Sequence, residues 1–174
     1  MSQIASAATF TVTKVADTND GTCDADCSLR EAVAAAGASA ENDTIQFSAL
    51  FSAPQTITLA LAEIIITSSG TLAINGPGAN LLTVSGNNAS RIFTNNTGAV
   101  TTISNLRLTA GNGVSTIQTG RAGAVYNSGG TLTLSGVVLT ANTAANGGAL
   151  NNASTATLTL INCTVSNNSA TGAG

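Results

Sequence analysis

Histidine and tryptophan are absent from this chain of 174 residues, tyrosine occurs once and phenylalanine four times. Charge is almost as scarce: Asp, Glu, Lys and Arg make up 7% of the residues, against roughly 25% in ordinary soluble domains. With five cations and so few aromatic rings, a nucleic-acid groove is excluded, since phosphates need basic side chains and bases need stacking platforms. Without histidine or a second cysteine cluster, Cys23 and Cys27 cannot complete a tetrahedral metal site. No run approaches the ~18 to 20 apolar residues of a membrane-spanning helix. Residues Met1 to Phe10 lack the basic start and apolar core of a signal peptide. That leaves a cytosolic protein or a chain whose leader has been removed, and the features below favour the second.

What the chain does contain is 43% hydrophobic residues and 18 glycines, among many Thr, Ser, Asn and Ala. Thr, Val and Ile favour strands, and Gly and Asn favour tight turns. Such a chain must bury thin layers of Leu, Ile, Val and Ala, as repetitive β architectures do. The acids are unevenly placed. Asp17, Asp20, Asp24, Asp26, Glu31, Glu41 and Asp43 precede residue 44, and Glu63 alone follows.

Repetition runs through the second half. Gly123-Ala124-Val125-Tyr126-Asn127 returns as Gly148-Ala149-Leu150-Asn151-Asn152, 25 residues on. Thr131-Leu132-Thr133-Leu134 returns as Thr157-Leu158-Thr159-Leu160, and Leu139-Thr140-Ala141-Asn142 as Val165-Ser166-Asn167-Asn168, each 26 residues on. Upstream, Val100 to Asn105 and Thr71 to Gly76 align with Thr131 to Gly136, and Arg91-Ile92-Phe93 takes the place of Ala124-Val125-Tyr126. Three short strands per unit, stacked ~4.8 Å apart, describe a solenoid coil. The fold expected is all-β: a right-handed parallel β-helix with three strands per coil, running from about Thr56 and capped by an N-terminal helix. Leu72, Thr101, Leu132 and Leu158 form one inward column. Ile74, Ile103, Leu134 and Leu160 form a second, and Leu108, Leu139 and Val165 a third. Asn105, Asn142 and Asn168 are expected at left-handed turns, with amides able to stack.

The chain divides at about residue 50 into an N-terminal strand, acidic loop and capping helix (1–50) and the coils (51–174), in one continuous structural domain. Ala8 to Lys14 alternates as a strand, and Asn42 to Phe47 returns to strand. Ser28 to Gly37 reads as a helix, with Ser28 as N-cap, Glu31 completing a capping box and Gly37 at its end. A helix there covers the open top of a solenoid, whose bare strand edges otherwise invite aggregation. Cys23 and Cys27, four residues apart, are close enough to form a disulfide, which implies an oxidising compartment; two reduced thiols are the alternative. Cys163 reads as a small buried hydrophobe.

Cys27-Ser28-Leu29-Arg30-Glu31-Ala32, preceded by Asp20-Gly21-Thr22-Cys23 and followed by Asn42-Asp43-Thr44-Ile45, resembles the CSLREA-type N-terminal domain of bacterial secreted and surface proteins. Gly147-Gly148-Ala149-Leu150, with the pairs Leu139…Asn142 and Val165…Asn168, resembles the GGA-I and F-x-x-N repeats of polymorphic outer membrane proteins, with Leu or Val in place of Phe. Both resemblances imply a parallel β-helix, export and a surface or adhesive role. Neither carries catalytic residues to this chain.

Function follows from what the coils offer. Glycoside hydrolysis needs paired carboxylates, and polysaccharide elimination needs carboxylate-held calcium beside a base. The coils carry one acid, Glu63, with Arg91, Arg107 and Arg121 spread as solvated surface, so the expectation is no enzyme and no catalytic residue. The expected role is a secreted or cell-surface stalk or adhesin. Its partners are other copies of itself, stacked end to end, or a host or cell-surface glycan or protein. The repeat stops where another Gly-Gly-Ala unit is due, so either more coils follow or neighbouring molecules stack. No cofactor is required, although Asp17, Asp20, Asp24 and Asp26 form a loop rich enough in oxygen to hold calcium. Two alternatives stand beside this reading. Outward Thr131, Thr133, Thr157 and Thr159 form Thr-x-Thr rows of the kind that bind ice, and the fold also serves carbohydrate-binding and polysaccharide-degrading proteins.

Overall fold

The computed structural model describes residues 6–67 and 70–172. In chain order it contains β1 (Thr9–Val12), α1 (Leu29–Gly37), β2 (Asp43–Phe47), β3 (Gln55–Thr58), β4 (Ile64–Ile66), β5 (Thr71–Asn75), β6 (Leu82–Ser85), β7 (Phe93–Asn95), β8 (Val100–Ser104), β9 (Arg107–Thr109), β10 (Val125–Asn127) and β11 (Thr131–Ser135). The later strands are β12 (Val138–Thr140), β13 (Thr143–Ala144), β14 (Leu150–Asn152), β15 (Thr157–Ile161), β16 (Thr164–Ser166) and β17 (Ser169–Ala170). Apart from β1 and β2, strands consecutive in the chain do not pair with one another. Each lies parallel to its counterpart in the next coil, giving three long sheets: β1-β2-β5-β8-β11-β15, β3-β6-β9-β12-β16 and β4-β7-β10-β14. The protein is a parallel β-solenoid.

The expected columns are present in register. Leu72 pairs with Thr101, Thr101 with Leu132 and Leu132 with Leu158. Ile74, Ile103, Leu134 and Leu160 stack likewise, as do Leu108, Leu139 and Val165. Thr101 sits in an apolar column because its hydroxyl has a buried acceptor, donating to Asn95 Oδ1 at 2.7 Å. On the third sheet, inward asparagines make a ladder. Asn95 Nδ2 donates to Asn127 Oδ1 at 2.9 Å, and Asn127 Nδ2 to Asn152 Oδ1 at 2.8 Å.

Four expectations need correction. The coils begin before Thr56, because β1 and β2 are already the first two strands of the six-stranded sheet. The alignment around Arg91 is off by one residue: Phe93, not Ile92, pairs with Val125. A one-residue slip exchanges inward for outward positions, and here it puts Arg91 beside Gly123 rather than Ala124. Third, Asn142 and Asn168 stack their amides at 3.0 Å, but the left-handed residues are Asn105, Ala141 and Asn167, with φ near +54°. The turn's strain is thus carried one position before each stacked amide. Finally, Cys163 is only half-buried, because it lies in the last coil, where no further layer covers it.

The Gly-Gly-Ala spacing has a steric cause. Gly123 N–H donates to Gly148 O at 2.9 Å, and a Cβ on Gly123 would lie 2.5 Å from that oxygen and 2.7 Å from Gly111 O. Neighbouring coils touch backbone to backbone there, which only glycine allows.

At the N-terminal end α1 packs on β1, β2 and β4. Its capping box forms as expected: Ser28 Oγ accepts from Glu31 N–H at 3.1 Å, and Glu31 Oε2 accepts from Ser28 N–H at 2.7 Å. The helix ends at Gly37 as expected, and the N–H of the C-cap residue Ala38 returns to the carbonyls of Ala34 and Ala35. Leu29, Ala32, Val33 and Ala36 are buried beneath it.

Candidate functional surfaces

The acidic loop does not gather its four carboxylates. Asp17 is bound to Arg30, with Oδ1 accepting from Nε at 2.7 Å and Oδ2 from Nη2 at 2.9 Å, and it also accepts from the backbone of Ala60 and Leu61. Burial acts to raise its pKa, but the Arg30 bonds and the two N–H donors outweigh it and hold the carboxyl below its usual value. Asp20 accepts from Thr22, Asp24 from Asp26 N–H, and Asp26 pairs with Lys14 at 3.0 Å. Among the described residues no group of three or more His, Cys, Asp or Glu is placed to hold a metal ion. Cys23 and Cys27 are joined as a disulfide. The loop serves to tie the cap to the coils: Arg30 also donates to the carbonyls of Ala62 and Glu63, just ahead of β4.

Glu31 accepts three hydrogen bonds. Burial acts to raise its pKa, yet bonds from the N–H groups of Ser28 and Asp20 and from the Thr18 hydroxyl prevail and hold it at about 2. Beside α1, an open depression of about 190 Å³ is lined by Asn19, Arg30, Val33, Ala34 and residues 63 to 65. Its one cation, Arg30, is already engaged by Asp17 and two carbonyls.

Arg91 is the largest departure from expectation. It is fully buried, not solvated surface. Its guanidinium Nη1 lies 3.5 Å from Glu63 Oε2, and neither side chain is exposed. Nε donates to Arg121 O, Nη1 to Thr94 Oγ1 and Ile117 O, and Nη2 to Gln118 O, all within 2.9 Å. Its Cζ lies 5.0 Å from the centroid of Tyr126. Burial lowers the pKa of Arg91, opposed by Glu63. Glu63 Oε1 in turn accepts from Thr116 N–H at 2.9 Å and from the Thr116 hydroxyl at 2.6 Å. Together the two side chains fasten the long connection 112–122 across β4, β7 and β10. Glu63 is therefore sealed under a loop. Arg107 is half-buried and Arg121 exposed.

Hydroxyl side chains recur on the outer faces, interrupted at Ala73, Val100, Arg107 and Val138. On the six-stranded sheet Thr133 pairs with Thr159 and Thr131 with Thr157, with side chains facing out as expected. The row through Thr133 extends further than the repeats suggested: it runs Thr9, Thr44, Ala73, Thr102, Thr133, Thr159. On the second sheet Thr58, Ser85, Thr109, Thr140 and Ser166 form an unbroken hydroxyl row. Thr56-Ile57-Thr58, Thr83-Val84-Ser85 and Thr164-Val165-Ser166 were its signal in the sequence.

No protein-family model, characterised protein or solved structure matches this chain.

Asp17, Arg30 and Glu31 hold the cap, Glu63 and Arg91 fasten the loop, and the sheets present Thr and Ser hydroxyls at strand spacing, with Arg107 on the second sheet.

Proposed function

We propose that this chain is a non-catalytic extracellular β-solenoid module of the stalk or adhesin type, which meets a glycan or protein surface through its hydroxyl-lined sheets. One observation carries the reading: Glu63 is buried with Arg91, whereas the second sheet carries an unbroken outward row of Thr and Ser. The Cys23–Cys27 disulfide and the resemblance of Cys27 to Ala32 to the CSLREA-type domain support an exported setting.

The test is exposure of the folded protein to immobilised glycans and to soluble polysaccharides. Binding without release of shortened or unsaturated products is expected, and Thr109→Glu with Thr140→Glu should weaken it at least tenfold. Product release that disappears when the protein is unfolded would overturn the non-catalytic reading.

The six-position row through Thr133 favours a second reading, in which the flat Thr face orders water at an ice surface. Thermal hysteresis lost on Thr133→Tyr or Thr131→Tyr would establish it. Ice growth unaffected by the protein would eliminate it.

A further inference from the structure

Four of the five cations in this chain are engaged. Lys14 pairs with Asp26, Arg30 with Asp17 and Arg91 with Glu63, and Arg121 donates to Asn151 Oδ1 at 3.5 Å. Arg107 is the exception: among the described residues its side chain enters no ion pair and no hydrogen bond.

Its place is central. β9 is the third of five strands in the second sheet, and Arg107 pairs with Thr83 on one side and Val138 on the other. The next residue, Leu108, is fully buried, so Arg107 points outward, on the same face as Thr109. Beside it runs the hydroxyl row of Ser85, Thr109 and Thr140. No acid answers the guanidinium. The strands of this sheet contain no Asp or Glu, and the chain has none after Glu63, which is buried with Arg91. A protein of net charge -3 thus keeps one unneutralised positive centre on this face.

A guanidinium is a planar fork of N–H donors that fits the paired oxygens of a carboxylate or sulfate. Hydroxyls next to it both donate to and accept from the hydroxyls of a sugar. One exposed ion pair is worth little in water, so a small anion gains too little to stay. A polymer that carries its anions among sugar hydroxyls engages the cation and the row together.

We propose that the second sheet binds an acidic polysaccharide, with a carboxylate or sulfate on Arg107 and sugar hydroxyls along Ser85, Thr109 and Thr140. This inference rests on the glycan-binding reading above and adds the charge of the ligand. An acidic protein surface offers the anion without the sugar hydroxyls, and the row therefore favours a glycan.

The probes are polygalacturonate beside its fully methyl-esterified form, and dextran sulfate beside dextran, each immobilised and offered to the whole chain. One acidic polymer should be held about tenfold or more above its uncharged counterpart, with the advantage shrinking at high ionic strength. The pair that shows it tells carboxylate from sulfate. Arg107→Gln should bring the acidic polymer down to the level of the uncharged one while circular dichroism stays that of the parent. Arg107→Lys, which keeps the charge and loses the fork, should fall between. Arg121→Gln, beside the third sheet, should change nothing. Equal binding of acidic and uncharged polymers, an Arg107→Gln variant that binds as the parent does, or equal retention of poly-L-glutamate would overturn this inference alone. Failure to retain any of the four polysaccharides would overturn the glycan-binding reading with it.

Discussion

The guanidinium of Arg91 stands 3.5 Å from the carboxylate of Glu63, and both are shut away from solvent beneath the connection 112–122. Taking two charges out of water costs several kcal/mol per ion before any attraction is counted. Here the cost is offset by the pair itself, by four acceptors around Arg91 and by the Thr116 donors to Glu63. The pair is structural, and its removal has a definite signature.

Arg91→Met leaves Glu63 buried without its cation and removes the Arg91 bonds to the carbonyls of Ile117, Gln118 and Arg121, of which Ile117 O keeps the Ser115 hydroxyl and Gln118 O the Arg121 N–H. The expected loss is about 3–5 kcal/mol, the range for breaking a buried pair by deleting one partner. Urea unfolding measures it, and limited proteolysis should show earlier cleavage within 113–120. The double variant with Glu63→Gln should cost less than the two single changes added together, because the sites share one network. An Arg91→Met protein within about 0.5 kcal/mol of the parent, as for an ordinary surface change, would show that the loop holds itself.

Stability should fall in acid by a route that runs through Glu31. Its folded-state pKa of about 2 lies below the ordinary 4.5, so the native state binds its proton later than the unfolded chain does. The sign follows from linkage: the contribution is complete above about pH 4.5 and is lost as pH drops toward about 2. Asp17, also held low, adds in the same direction. Denaturant midpoints at descending pH should decline over this window, and Glu31→Gln should flatten the decline while lowering stability at neutral pH. Parallel profiles for parent and variant would mean that Glu31 is not the group responsible.

Gly123→Ala should be poorly tolerated despite adding one methyl group. The new carbon would fall 2.5 Å from Gly148 O and 2.7 Å from Thr143 N, which forces adjoining coils apart. Overpacking of this kind costs about 1–3 kcal/mol. Thr131→Ala, on an exposed outer row, should stay within about 0.5 kcal/mol. Thermal melts of the two variants side by side test the contrast, and equal melting temperatures would refute the backbone-contact explanation of the Gly-Gly-Ala spacing.

Much of this architecture was legible without coordinates because a solenoid writes its geometry into its period. Residues such as Leu132 and Leu158 recur at the coil length, so sequence spacing converts directly into vertical contact. Alternation within Thr157 to Ile161 then states which side chains point inward. The capping box at Ser28 and Glu31 is equally local. What failed to register was non-periodic. The one-residue displacement around Phe93 came from coils whose turns differ in length, and β1 and β2 escaped inclusion because α1 and the acidic loop separate them.

The sequence by itself therefore determined the parallel stacking, the composition of the columns and the capped start, since each depends on neighbours along the chain or one repeat away. Tertiary structure alone decided the fates of Glu63, Arg91 and Asp17. Besides the pairs Glu63–Arg91 and Asp17–Arg30, their partners come from connections at residues 116 to 121 and 60 to 61 that obey no repeat, and the path of those connections through space determines whether a charge is solvated or enclosed. It also decided that Leu160 and Val165, identical in pattern to their buried counterparts, face water: burial belongs to the layer above, not to the residue.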